Sequence, residues 1–152
     1  EERAQQFYQK WKDEALVVNS WFSVQATRPH PDALSKVKLL MEHPAFDKMN
    51  PNKIRALISA FAMRNPVNFH SLKGDGYAFL GEQIIRLNAA NPQIASRLLT
   101  PLTRWKRFDE TRQKLMREQL EHIKSQAQLS KDVYEVVTKS LEHWNYSTNV
   151  LW

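Results

Sequence analysis

NPNKIRALISAF at 50–61 and NPQIASRLLTPL at 91–102 are the stretches that decide the fold. Each opens with an asparagine followed by a proline. An asparagine side chain accepts the orphan N–H groups of a first helical turn, and proline fits that turn because its missing N–H would have had no partner there. The two pairs stand 41 residues apart, and each run carries an arginine, Arg55 in the first and Arg97 in the second. Behind the first pair, Ile54, Leu57, Ile58 and Phe61 recur at i, i+3, i+4 and i+7, the apolar stripe of an amphipathic helix.

The same pattern extends in both directions. Upstream, Phe7, Tyr8 and Trp11 have helical spacing within 3–14, and Leu16, Val17, Val18, Trp21, Phe22 and Val24 follow within 15–27, which reads as a helical hairpin. RPHP at 28–31 breaks the pattern, and Asp32 opens a helix bearing Leu34, Val37, Leu40 and Met41. Downstream, Asn65-Pro66 begins a short turn and NFHSLKGDG is a loop. Helix resumes over Tyr77 to Leu87, again from Pro92 to Leu99, and at Pro101. Asp109 caps a long helix carrying Leu115, Met116, Leu120 and Ile123, and Ser130 caps a last one with Val133, Val136, Val137 and Leu141. No stretch alternates with period two. The chain therefore reads as all-α, with paired antiparallel helices stacked as a HEAT/armadillo-like superhelical repeat, for which a spacing near 40 residues is characteristic.

At 152 residues the chain fits one domain, able to bury roughly 70% of its unfolded surface. A formal charge of +6 permits an acidic partner, but the basic residues are interspersed with acidic ones except at Arg104-Trp105-Lys106-Arg107 and from Arg112 to Arg117. Cysteine is absent, which removes disulfide and thiol chemistry and favours a cytoplasmic location. No run of apolar residues is long enough for a membrane span, so no membrane partner is expected. The five histidines, at 30, 43, 70, 122 and 143, lack the one-turn spacing that would aim two rings at one metal, and each reads as a surface or turn residue. Nucleophile elbow, phosphate loop and dinucleotide fingerprint are missing as well. Trp105, flanked by Arg104 and Lys106, has the composition of a base-stacking site, but its helical position favours packing on the Leu115-Met116 stripe.

Two readings of Arg55 and Arg97 stay open. An arginine at the edge of an apolar stripe can lay its stem on that stripe and keep its head in water. Alternatively, guanidiniums from successive repeats grip a carboxylate, since their planar donors suit it in a two-point fashion. Arg55 lies four residues after its proline and Arg97 five, a difference that rotates a helical side chain by about 100°.

HPAFDKMNPNKIRALISAFAMRNPVNFH, GYAFLGEQIIRLNAANPQIASRLLTPLTRWKRFDETRQKLMREQLEHI and LSKDVYEVVTKSL resemble the C-terminal helical domain of the bacterial aminopeptidase N family, the zinc-dependent alanyl aminopeptidases. The resemblance runs from about residue 3 to 141. It implies two segments: 1–141 as the C-terminal part of the helical-repeat domain, and 142–152, EHWNYSTNVLW, as a tail outside the family pattern. It further implies that zinc and its ligands belong to a catalytic domain of the same polypeptide, that this chain alone has no catalytic or metal-binding residue and is inactive, and that the repeat acts as a lid admitting peptide substrates. Arg55 and Arg97 would face the chamber and bind substrate. The alternative is a freestanding basic helical module binding an acidic protein or, less favourably, nucleic acid, whose mark would be steep weakening with salt.

Overall fold

The computed structural model describes residues 15–150, with side chains from 17 to 141. The helix expected over 3–14 and the side chains of the tail lie outside the described residues. Those described are helical with no strand among them, and they form two compact units, one up to Phe69 and one from His70.

In the first unit, α1 (Ala15–Ala26) packs against α2 (Ala33–Leu40) and against the helical run that begins with α3 (Pro51–Ile54). Asn50 caps α3 as its sequence requires, its Oδ1 accepting from the N–H groups of Asn52 at 2.9 Å and Lys53 at 3.2 Å. Ile54, Leu57, Ile58 and Phe61 are fully buried, each stabilising the fold by about 1.5–3 kcal/mol relative to exposure. Trp21, Phe22, Val37 and Phe46 complete this core, with Phe22 edge-on to Phe46 at 5.5 Å between centroids.

The run is not one regular helix. Between α3 and α4 (Ala60–Arg64) the backbone widens into a π-helical turn over Arg55–Ser59, where the Ala60 N–H reaches back to the Arg55 carbonyl. Such a turn carries one extra residue and disturbs the ordinary pairing of carbonyls. The hydroxyl of Ser23 on α1 donates to the Ala56 carbonyl at 2.8 Å, inside the widened turn. The apolar stripe alone predicts a uniform α-helix. The departure is accompanied by a hydrogen bond from a hydroxyl 33 residues away, which local periodicity does not register.

Asn65 ends α4 and precedes the single turn α5 (Pro66–Phe69). Its side chain is buried, donating to the carbonyls of Ala26 at 2.9 Å and Arg28 at 2.8 Å and accepting from Asn68 at 2.9 Å. It thereby ties the C-terminal end of α1 to the end of α4.

The second unit is built on α6 (Asp75–Ala90), which packs against α7 (Pro92–Leu98) and α9 (Glu110–Lys124). Gly74 starts α6 at φ 76°, a left-handed conformation that side chains with a Cβ disfavour. One residue, Asn91, separates α6 from α7 and caps the latter through a 3.3 Å bond from the Ile94 N–H. The short α8 (Thr100–Thr103) and a 3-10 turn (Trp105–Arg107) lead to Asp109, which caps α9 through the Arg112 N–H. Ser130 caps α10 (Lys131–Val150), and α10 returns against α9 and α7 after the short 125–130 connection, as antiparallel neighbours do. The buried amide of Asn88 holds that connection, donating to the Gln128 carbonyl at 2.8 Å and accepting from the Ser130 N–H at 2.7 Å. Asp32 opens α2 as expected but makes no cap bond with its side chain; its carboxylate lies 2.6 Å from His30.

Replacing Asn65 with alanine strips one buried carbonyl and one part-buried carbonyl of their donor and should cost about 2 kcal/mol. Asn68→Ala removes one part-exposed bond and should cost about 1 kcal/mol or less. Urea unfolding with unchanged m values separates the two.

Candidate functional site

Arg55 and Arg97 both project to solvent from capped helices, one in each unit. Arg55 is steadied by its own helix: its Nε donates to the Pro51 carbonyl at 3.5 Å and an Nη to Asn52 Oδ1 at 3.0 Å. A guanidinium has five N–H donors, so most of the fork is available to a ligand. Arg97 sits among buried Ala95, Leu98 and Leu99, and none of the described side-chain hydrogen bonds or ion pairs involves its guanidinium. The π turn begins at Arg55, after its four-residue spacing from Pro51 is set. It therefore rephases α4 and leaves the offset between the two arginines as the sequence has it.

A polar cluster in the second unit has no counterpart in the sequence reading. The buried Tyr77 hydroxyl and His70 Nδ1 share a hydrogen bond of 2.6 Å, and the His70 ring stacks on Phe108 at 4.3 Å. Arg112 ties the loop down, its Nε donating to the His70 carbonyl at 2.8 Å and its Nη1 pairing with Asp109 at 2.8 Å. Burial pushes the Tyr77 phenol up to about 12, with the Arg112 cation opposing and the Asp109 charge assisting. Burial, and then the Arg112 charge, hold His70 below its ordinary value. The hydrogen bonds to Arg112 lower the Asp109 carboxyl. His70 and Arg112 are 42 residues apart, and no spacing rule links a loop histidine to a helix arginine at that distance.

The remaining candidates fall as their surroundings dictate. Trp105 is completely buried and offers no ring for stacking. His43 packs against Trp21 and Phe22, and its Nδ1 accepts from the Ala45 N–H at 3.0 Å, a turn role. Among the described residues no three metal-ligating side chains gather, and no described helix is long and apolar enough to cross a membrane.

Comparison with known proteins gives the geometry its context. Residues 1–142 match a family described as a domain of unknown function (DUF3458_C) made of ARM repeats. The chain is similar to Aminopeptidase N of Haemophilus influenzae, 47% identical over 136 residues, and to Aminopeptidase N of Escherichia coli, 48% identical over 137, in each case over 90% of this chain and 16% of the relative. A crystal structure of Legionella pneumophila aminopeptidase A in complex with aspartic acid superposes with a TM-score of 0.88 at 39% identity, over 92% of this chain and 16% of that one. The chain thus spans about a sixth of the length of the curated relatives it matches.

A histidine whose native pKa lies below the unfolded value, ordinarily 6.5, binds fewer protons when folded. Its contribution to stability is complete above about pH 6.5 and is lost as pH falls below it. Between about pH 7.5 and pH 5 the thermal midpoint should fall less in His70→Asn, which keeps a hydrogen-bonding partner for Tyr77 but does not titrate, than in the wild type. Tyr77→Phe should cost about 1 kcal/mol near pH 7 in chemical unfolding.

Proposed function

The chain belongs to the ARM-repeat family DUF3458_C, and from that membership we propose that it is the closing and substrate-positioning part of a zinc aminopeptidase that removes N-terminal residues from peptides. The observation that carries this reading is its similarity, at 45–48% identity across nine-tenths of its length, to one-sixth portions of proteins named aminopeptidases. A repeat of stacked helices buries its residues against neighbouring helices and presents a broad surface, which suits it to wall a chamber.

In this reading the metal and its ligands lie in a catalytic domain of the same polypeptide. The zinc there would activate water and polarise the scissile carbonyl. This chain would supply position. Arg55, preset by Asn52 and Pro51, and Arg97 would each direct N–H donors at a peptide's terminal carboxylate or at carbonyls beyond the cleaved bond. Holding the far end of a peptide restricts how the near end meets the metal, which lowers the barrier by orientation. A cytoplasmic location accompanies this reading, in keeping with a chain that lacks cysteine.

Arg55→Ala and Arg97→Ala, made in the longer aminopeptidase, should each reduce kcat/KM for di- and tripeptides by a factor corresponding to about 1.5–3 kcal/mol. Turnover of an amino-acid anilide, which has no carboxylate beyond its first residue, should be unaffected. Equal turnover of peptides by both variants and the parent would remove the positioning role. The 152-residue chain with added zinc should release no amino acids from the same peptides, and release would sink the whole reading.

A further inference from the structure

A groove of about 550 Å³ in the second unit concentrates cations that neither the capping reading nor the two chamber arginines use. One side is the turn after α8, contributing Arg104, Lys106 and Arg107. The other is one face of α10, where Val136, Lys139 and Ser140 follow at i, i+3 and i+4. Its volume lies in the range of clefts that hold small ligands, about 300–1,000 Å³. No acidic residue is among those lining it, and Asp109, the nearest acid in sequence to the turn, is paired with Arg112.

We propose that this groove binds an extended acidic peptide segment, with Arg104 and Arg107 taking its carboxylates and Val136 contacting an apolar side chain between them. Three observations favour that occupant. The groove's hydroxyls are turned to their own helices: Thr103 Oγ1 donates to the Thr100 carbonyl at 2.7 Å and Ser140 Oγ to the Val136 carbonyl at 2.9 Å. The groove's Arg104 and Arg107 offer guanidiniums, whose fork matches a carboxylate. An apolar side chain, Val136, set beside cations suits a peptide in which acidic and apolar side chains alternate. Finally, single-stranded nucleic acid draws affinity from bases stacked on exposed rings, and the ring in this turn, Trp105, is wholly buried. The groove lies within one unit and does not depend on the role given to Arg55 and Arg97.

The test uses the 152-residue chain and a fluorescent octapeptide alternating glutamate and valine, followed by anisotropy at low salt. Arg104→Gln with Arg107→Gln should weaken binding at least about tenfold, because each removes a charge-assisted contact. Lys38→Gln with Lys124→Gln, an equal loss of charge at exposed positions outside the groove, should change it less than about twofold. Equal weakening by the two pairs would overturn the proposal. So would equal binding of the glutamine–valine peptide, or tighter binding of an oligothymidylate of the same charge, which would make nucleic acid the occupant. Circular dichroism of each variant verifies that the helices remain, and a supported result requires it unchanged.

Discussion

A helix that stops leaves up to four N–H groups at one end and four carbonyls at the other without partners, and this chain stops often. Everything else in the structure depends on answering those groups. Asparagine supplies most of the answers, since its amide both donates and accepts. Asn50 and Asn91 accept from first turns and start the helices that carry Arg55 and Arg97. Asn65 and Asn88 act at greater range, one holding the end of α1 and the other the connection into α10. Buried apolar stripes supply the stability of each unit. Asn50 and Asn91 fix where α3 and α7 begin, and so which way their stripes face.

The stripes and caps could be read directly from the sequence. Ile54, Leu57, Ile58 and Phe61, like Tyr77, Phe79, Leu80, Ile84 and Leu87, have a spacing that permits one buried face, and they are buried. The Asn-Pro pairs, Asp109 and Ser130 were visible as caps because the bonds they make close within three residues. Much of what stayed hidden shares one property: it needs a partner 33 to 42 residues away. Ser23 at the π turn, Asn65 at the end of α1, Asn88 at the 125–130 connection and Arg112 on the His70 carbonyl are all of this kind. The arginines were legible as residue types on capped helices. Their ligand was not, because exposure and charge describe a donor without naming what accepts from it.

The chain's positive charge is distributed in ways with different physical meanings. Arg112 is occupied in fixing a loop and Arg117 lies 3.9 Å from Glu121 along one helix face. Arg104 and Arg107 share a groove that no acid lines. Equal formal charges thus serve cohesion in one place and recognition in another, and net charge by itself distinguishes neither.

Asn50, Asn65 and Asn91 are each followed directly by proline. Asparagine ages when the next residue's backbone nitrogen attacks the side-chain amide, forming a cyclic imide that opens to aspartate or isoaspartate. A proline nitrogen has no hydrogen to lose and cannot complete that ring. Asn50, Asn65 and Asn91 are therefore shielded from this route of deamidation by the same neighbour that helps start the helix, whereas Asn88, followed by Ala89, is not.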